Sequence, residues 1–240
     1  MAGLLDRIDG ARVLLLVALA AAVLALWDTP LVYPLKILVV FFHELSHGAM
    51  AVLSGGEIVE IEIVPQQGGH CITSGGNRFL TLSAGYLGSL FWGGLILALA
   101  ARTRLDRPLS VALGVLLALL SLLYVRPFIS FGLGFGLAAS LALVAAGIWL
   151  SERQNDLLLR LIGLTSCLYA VADIKSDVLD RPHLRSDAAM LAELTGVPTV
   201  VWGVIWIGLA VLVGAGFLLF ASKDTSEGLA RLRRRPPKKP

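Results

Sequence analysis

The chain has 240 residues, of which 57% are apolar and only 15% charged, with a mean hydropathy of +0.81. Globular chains are about 45–50% apolar and about 25% charged, so the balance excludes a disordered chain, a collagen-like fibre and a disulfide-stapled secreted domain, and leaves a multispanning membrane protein. The net charge of +3 is no nucleic-acid signature, because the excess is local: residues 223–240 hold seven Lys/Arg against two acids.

A helix needs about 20 mostly apolar residues to cross the hydrocarbon core. The first apolar run, 13–27, is free of charge but short, and ends at Trp27. A signal peptide is the alternative for this run, but Asp6 and Asp9 dilute the basic start it would need. Residues 35–54 are apolar but carry His43, Glu44 and His47. Next comes EIVEIEIVPQQGGHCITSGG, residues 57–76, where Glu60-Ile61-Glu62-Ile63 alternates with the period of a half-exposed strand and Gly68-Gly69 reads as a turn. The pattern predicts a short β-hairpin. Charge is absent from 79–101, 108–125, 127–151 and 194–222, four strong spanning segments. Residues 157–172 form one more, with Arg160 near its start and Asp173 at its end. The count is seven spans, with six as the alternative.

The polar block 173–194 contains Ser186-Asp187, which predicts a capped short helix through Leu194, stopped by Gly196 and Pro198. The basic tail, 223–240, is expected to be disordered and to lie against anionic lipid on the cytoplasmic side. The expected fold is an all-α polytopic membrane protein: one membrane-embedded domain over residues 1–222, six to seven transmembrane helices, and a hairpin after the second apolar segment.

The chemistry sits in FFHELSHGAM, residues 41–50. His43-Glu44-Leu45-Ser46-His47 completes H-E-x-x-H; on a helix, positions i and i+4 share a face, so both imidazoles address one ion. Two histidines suit zinc, which takes a third protein ligand and keeps one position open in hydrolytic sites. Glu44, beside the first ligand, is placed to take a proton from the attacking water and return it to a leaving amine. The pattern specifies hydrolysis of a carbonyl compound by metal-activated water, most simply a peptide bond. Ionisable groups inside a spanning helix cost about 2.5–3.5 kcal/mol each on insertion scales, so three at metal spacing are hard to explain as packing.

Over residues 36–94 the sequence resembles the site-2 protease family of intramembrane zinc metalloproteases, in its peptidase-like branch. Three features carry the resemblance: an apolar helix with FHELSH, the Gly-rich segment GGEIVEIEIVPQQGGHCITSGG, and a helix opening with LSAGYLGSLF. It implies His43 and His47 as zinc ligands and Glu44 as general base. It implies a membrane-spanning protein substrate, locally unwound and paired with an edge strand near 57–64. Where many members carry Pro and Asn, this chain has Tyr86 and Ser89 in AGYLGS, and the Asp-Gly motif that usually supplies the third ligand does not occur after Asp9.

The third ligand is therefore expected from a carboxylate at similar depth. Asp173 at the end of 157–172 is the first choice; Asp177, one turn on, and Asp187 are the alternatives, and Asp180 reads as a solvated loop acid. His70 and His183 read as surface residues, Ser46 has no neighbouring base, and Asn77 is a weak candidate donor to a substrate carbonyl. Gly132 and Gly136 form a small-xxx-small pair for helix packing. The expected function is a zinc metalloendopeptidase of the cell membrane that cleaves membrane proteins without nucleic-acid partners; the alternative is a metal-binding transporter or an inactive homologue that binds partner helices. With seven spans the tail and the basic loop 102–107 share one side, cytoplasmic by the positive-inside rule. The site then faces outward, whereas the resembling family generally places it nearer the cytoplasm.

Overall fold

A computed structural model describes residues 8–181 and 185–223. The tail beyond Lys223 and His183 lie outside the described residues. The elements, in order, are α1 (Gly10–Ala25), α2 (Tyr33–Leu53), β1 (Glu57–Val64), β2 (Gly68–Ser74), α3 (Arg78–Arg102), α4 (Asp106–Tyr124), α5 (Phe131–Trp149), α6 (Glu152–Lys175) with a π-helical turn at Ser176–Asp180, α7 (Asp187–Thr195) and α8 (Thr199–Ser222). Local chemistry explains several boundaries. Pro34 opens α2, Asn77 caps α3 through Leu80, and Ser151 with Gln154 forms a capping box on α6. α7 is bounded as its sequence predicts, with Ser186 accepting from Ala189 and Gly196 ending it at φ +73°.

Six helices, α2 to α6 and α8, are long and apolar enough to cross a bilayer, and α1 is shorter. The first and last described residues meet. Ile8 bridges to Lys223, the Asp9 N–H donates to the Ser222 carbonyl, and Arg12 donates to the Lys223 carbonyl. A seventh crossing would leave these partners about 30 Å apart, on opposite faces. These contacts fit six crossings, the lower figure of the expected six to seven, with α1 packed into the bundle as a shorter helix. Trp27, just beyond α1, is half-buried, 6.0 Å from the Tyr169 ring and beneath the Lys36 ammonium. Arg102 also reaches the Lys223 carbonyl, so the start of the 102–107 loop lies beside Ile8–Arg12 and Ser222–Lys223.

α2 and α3 are central, with 67% of their spanning windows buried against 22% for α4 and α8, whose apolar side chains face outward. The core gathers Ile37, Val39, Phe41, Ile61, Ile63 and Leu159, so the hairpin is part of the interior. β1 and β2 pair antiparallel, with Ile61 opposite Cys71 and Glu62 opposite His70. The outer edge of β1 is partly occupied: Ile61 bridges to Val125, and its carbonyl accepts from Arg126. The Tyr33 and Tyr169 hydroxyls donate to the carbonyls of Pro65 and Gln67 and tie down the turn. Gly132 passes so close to β1 that a Cβ would stand 3.0 Å from the Ile63 carbonyl, and at Gly136 one would strike Ser121. Both glycines of the small-xxx-small pair thus serve close packing.

Candidate metal centre

His43 and His47 lie one turn apart on α2, their rings 4.8 Å apart centre to centre. α3 runs directly over them because it has no side chain there: a Cβ on Gly85 would stand 2.4 Å from His43 Nε2 and 2.5 Å from His47 Nε2. Gly88 gives the same clearance over Ser46, whose hydroxyl donates to the Phe42 carbonyl and plays no part in the centre.

The structure brings Asp187, in the first turn of α7, to the two imidazoles. Its Oδ2 is 3.0 Å from His43 Nε2 and 3.1 Å from His47 Nε2. Asp173, the first choice from sequence, is elsewhere: its Oδ2 is 3.7 Å from His43 Nδ1, on the other side of that ring. The physical reason is that α7 folds back, burying Ala188 and Leu191 and carrying Asp187 onto α2, so depth along α6 does not decide which acid reaches the Nε2 atoms. Asp177 is committed otherwise, accepting from the Tyr86 hydroxyl at 2.6 Å and from Arg181 at 2.9 Å. Asp180 pairs with Lys175 near the surface, as a solvated acid would.

Two imidazole nitrogens share one carboxylate oxygen only if N–H protons or a metal ion lie between them. Ligand atoms about 2.0–2.1 Å from a tetrahedral zinc stand about 3.3 Å apart, close to the spacings here. One ligand atom each from His43, His47 and Asp187 fits within 4.8 Å, so the donor set suits zinc. His47 Nδ1 is 2.7 Å from the Thr81 carbonyl oxygen, which can only accept, so Nδ1 carries a proton and Nε2 is the atom turned to the centre. Burial alone would raise the Asp187 carboxyl, but the His47 charge and hydrogen bonds from both imidazoles outweigh it and hold the group below the usual carboxylate range. Its place at a helix N-terminus favours the anion further.

Glu44 lies against the hairpin. It is buried, and among the described residues it has no hydrogen-bond or salt-bridge partner. A Cβ on Gly69 would stand 3.0 Å from its Cγ and Oε1, so β2 approaches this carboxylate only as glycine. His70, the next residue, pairs with Glu62 at 3.5 Å and is half-exposed. Asn77 spends its side chain on the α3 cap. Beside Asp173, a polar cleft lined by Trp27, Gln66, Gln67, Ser176 and Arg181 opens between the hairpin turn and α6.

Among known proteins, a family model described as Peptidase M50B-like matches residues 16–218, most of the chain. No curated protein and no solved structure matches.

Proposed function

The chain belongs to the Peptidase M50B-like family, the site-2 protease family, as a multi-pass membrane protein, and on that premise we propose that it is an intramembrane zinc endopeptidase of the cell membrane. The observation that carries the proposal is the meeting of His43 and His47 Nε2 at one Asp187 oxygen, 3.0 and 3.1 Å away, with the buried Glu44 beside them. His43, His47 and Asp187 hold the ion; Asp187 replaces Asp173 as third ligand. A bound zinc polarises a substrate carbonyl and acidifies water.

Glu44 acts as general base. Its carboxylate takes a proton from the attacking water and then returns it to the leaving amine. The substrate is a membrane protein, unwound locally so that an extended segment pairs with the hairpin. The strand that receives it is β2 rather than β1: the outer edge of β1 is engaged at Ile61, while β2 carries Gly69 against Glu44 and, among the described residues, pairs only with β1. The face that holds the basic 102–107 loop is cytoplasmic by the positive-inside rule, so the catalytic end faces away from the cytoplasm.

The test is zinc content and cleavage of a membrane-protein substrate by the detergent-purified wild type and Glu44→Gln. Retained zinc with lost cleavage is expected. Zinc without cleavage in the wild type would favour an inactive homologue that binds partner helices.

A further inference from the structure

The zinc-binding set leaves two acids of α6 unexplained, Asp173 and Asp177. They lie one turn apart on one helical face, and both address the same imidazole. Asp173 Oδ2 is 3.7 Å from His43 Nδ1, the nitrogen turned away from Asp187. Asp177 acts at one remove: it accepts the Tyr86 hydroxyl at 2.6 Å and is itself pinned by Arg181, while the Tyr86 ring meets His43 edge-on at 5.0 Å. Behind Tyr86 stands Trp206, ring to ring at 5.0 Å, so the tyrosine has no room to swing aside.

We propose that the C-terminal end of α6 is an orienting bracket for His43, in which Asp173 keeps the ring proton on Nδ1 and Asp177 locks Tyr86 against the ring. The inference rests on the zinc-binding reading of His43, His47 and Asp187. Its logic is visible in the contrast between the two histidines. His47 has its Nδ1 proton fixed by the Thr81 main-chain carbonyl. For His43 no main-chain acceptor is within reach among the described residues, and a carboxylate occupies that side instead. A negative charge near Nδ1 favours the tautomer with Nδ1 protonated, which leaves the Nε2 lone pair facing the shared centre and makes it a stronger donor. Asp173 and Asp177 are thus positioning residues: they act through His43 and touch neither ion nor substrate.

Zinc affinity, measured by chelator competition on the full chain in detergent, tests the bracket, together with the absorption spectrum of the cobalt(II)-substituted protein. Partners at this distance from a metal typically tune affinity by about 10–100-fold. Asp173→Ala should weaken zinc binding within that range while the cobalt(II) spectrum keeps its four-coordinate form. Asp173→Asn, isosteric and still an acceptor through its amide oxygen, should recover part of the loss. Tyr86→Phe, which cuts the tie to Asp177, should give a smaller drop, also without spectral change. The inference is overturned if Asp173→Ala and Asp173→Asn bind zinc as tightly as the wild type. It is equally overturned if Asp173→Ala changes the cobalt(II) spectrum as Asp187→Ala does, for Asp173 would then be a ligand. A wild type that binds no zinc sinks the metalloprotease reading itself, and the bracket with it.

Discussion

Gly85→Ala is a one-carbon change aimed at the metal centre. The added methyl would stand 2.4 Å from His43 Nε2, 2.5 Å from His47 Nε2 and 2.6 Å from His47 Cε1. Nonbonded carbon and nitrogen do not approach so closely, so α3 or an imidazole must shift by nearly 1 Å. α3 is held on both sides: Gly93 lies against Gly163 and Ser166 of α6, and Gly88 against Ser46 of α2. The imidazoles therefore yield, and at least one leaves the geometry that zinc needs. Structural zinc sites are worth about 10–16 kcal/mol over four ligands, roughly 3 kcal/mol for each. Losing one imidazole should thus weaken zinc about 100-fold. Zinc titration against a chromophoric chelator reads the effect, with thermal unfolding in detergent as the check on folding. Gly134→Ala is the control, since a Cβ there meets nothing within 4 Å. Wild-type zinc affinity in a folded Gly85→Ala would refute the placement of the metal between these imidazoles.

Other expectations follow from the same geometry. Gly69→Val drives a side chain into Glu44 and should abolish cleavage while zinc stays bound; unchanged cleavage would separate β2 from catalysis. Burial, with the Glu44 charge adding to it, pushes the Cys71 thiol up to about 12, so its alkylation in the folded protein should remain slow at pH 8 and keep rising beyond pH 10; a half-maximal rate near the ordinary thiol value of about 8.5 would contradict this. Tyr33→Phe and Tyr169→Phe each free one hairpin-turn carbonyl and should cost about 1 kcal/mol, read as a lowered melting temperature. A cysteine at Gly196 should react with a membrane-impermeant maleimide from outside intact cells, and one at Arg104 only after permeabilisation; the reverse would put the catalytic end in the cytoplasm.

Much of this was legible in the sequence because the relevant signals are local. Apolar length marks the six long helices, alternation at Glu60–Ile63 marks β1, and Ser186 with Gly196 brackets α7. The i, i+4 spacing of His43 and His47 fixes two members of the centre before any tertiary contact is considered. What the sequence hides is long-range. Asp173 and Asp187 are both aspartates beside apolar helices, and only the fold-back of α7, anchored by Ala188 and Leu191, decides which reaches the Nε2 face. The available signal was the carboxylate in the first turn of a capped helix with a buried apolar face. The span count was legible to within one: six of the expected six to seven segments form long apolar helices, and α1, the short run, is the one whose length left the count open. Gly69 and Gly85 look like ordinary glycines until Glu44 and the two imidazoles are seen pressed against them.

The most direct measurement is anomalous diffraction at the zinc edge from crystals of the zinc-loaded protein. One peak per chain is expected, about 2.0–2.2 Å from His43 Nε2, His47 Nε2 and an Asp187 carboxylate oxygen. A peak ligated by Asp173 in place of Asp187, or no peak between the two imidazoles, would contradict the centre described here.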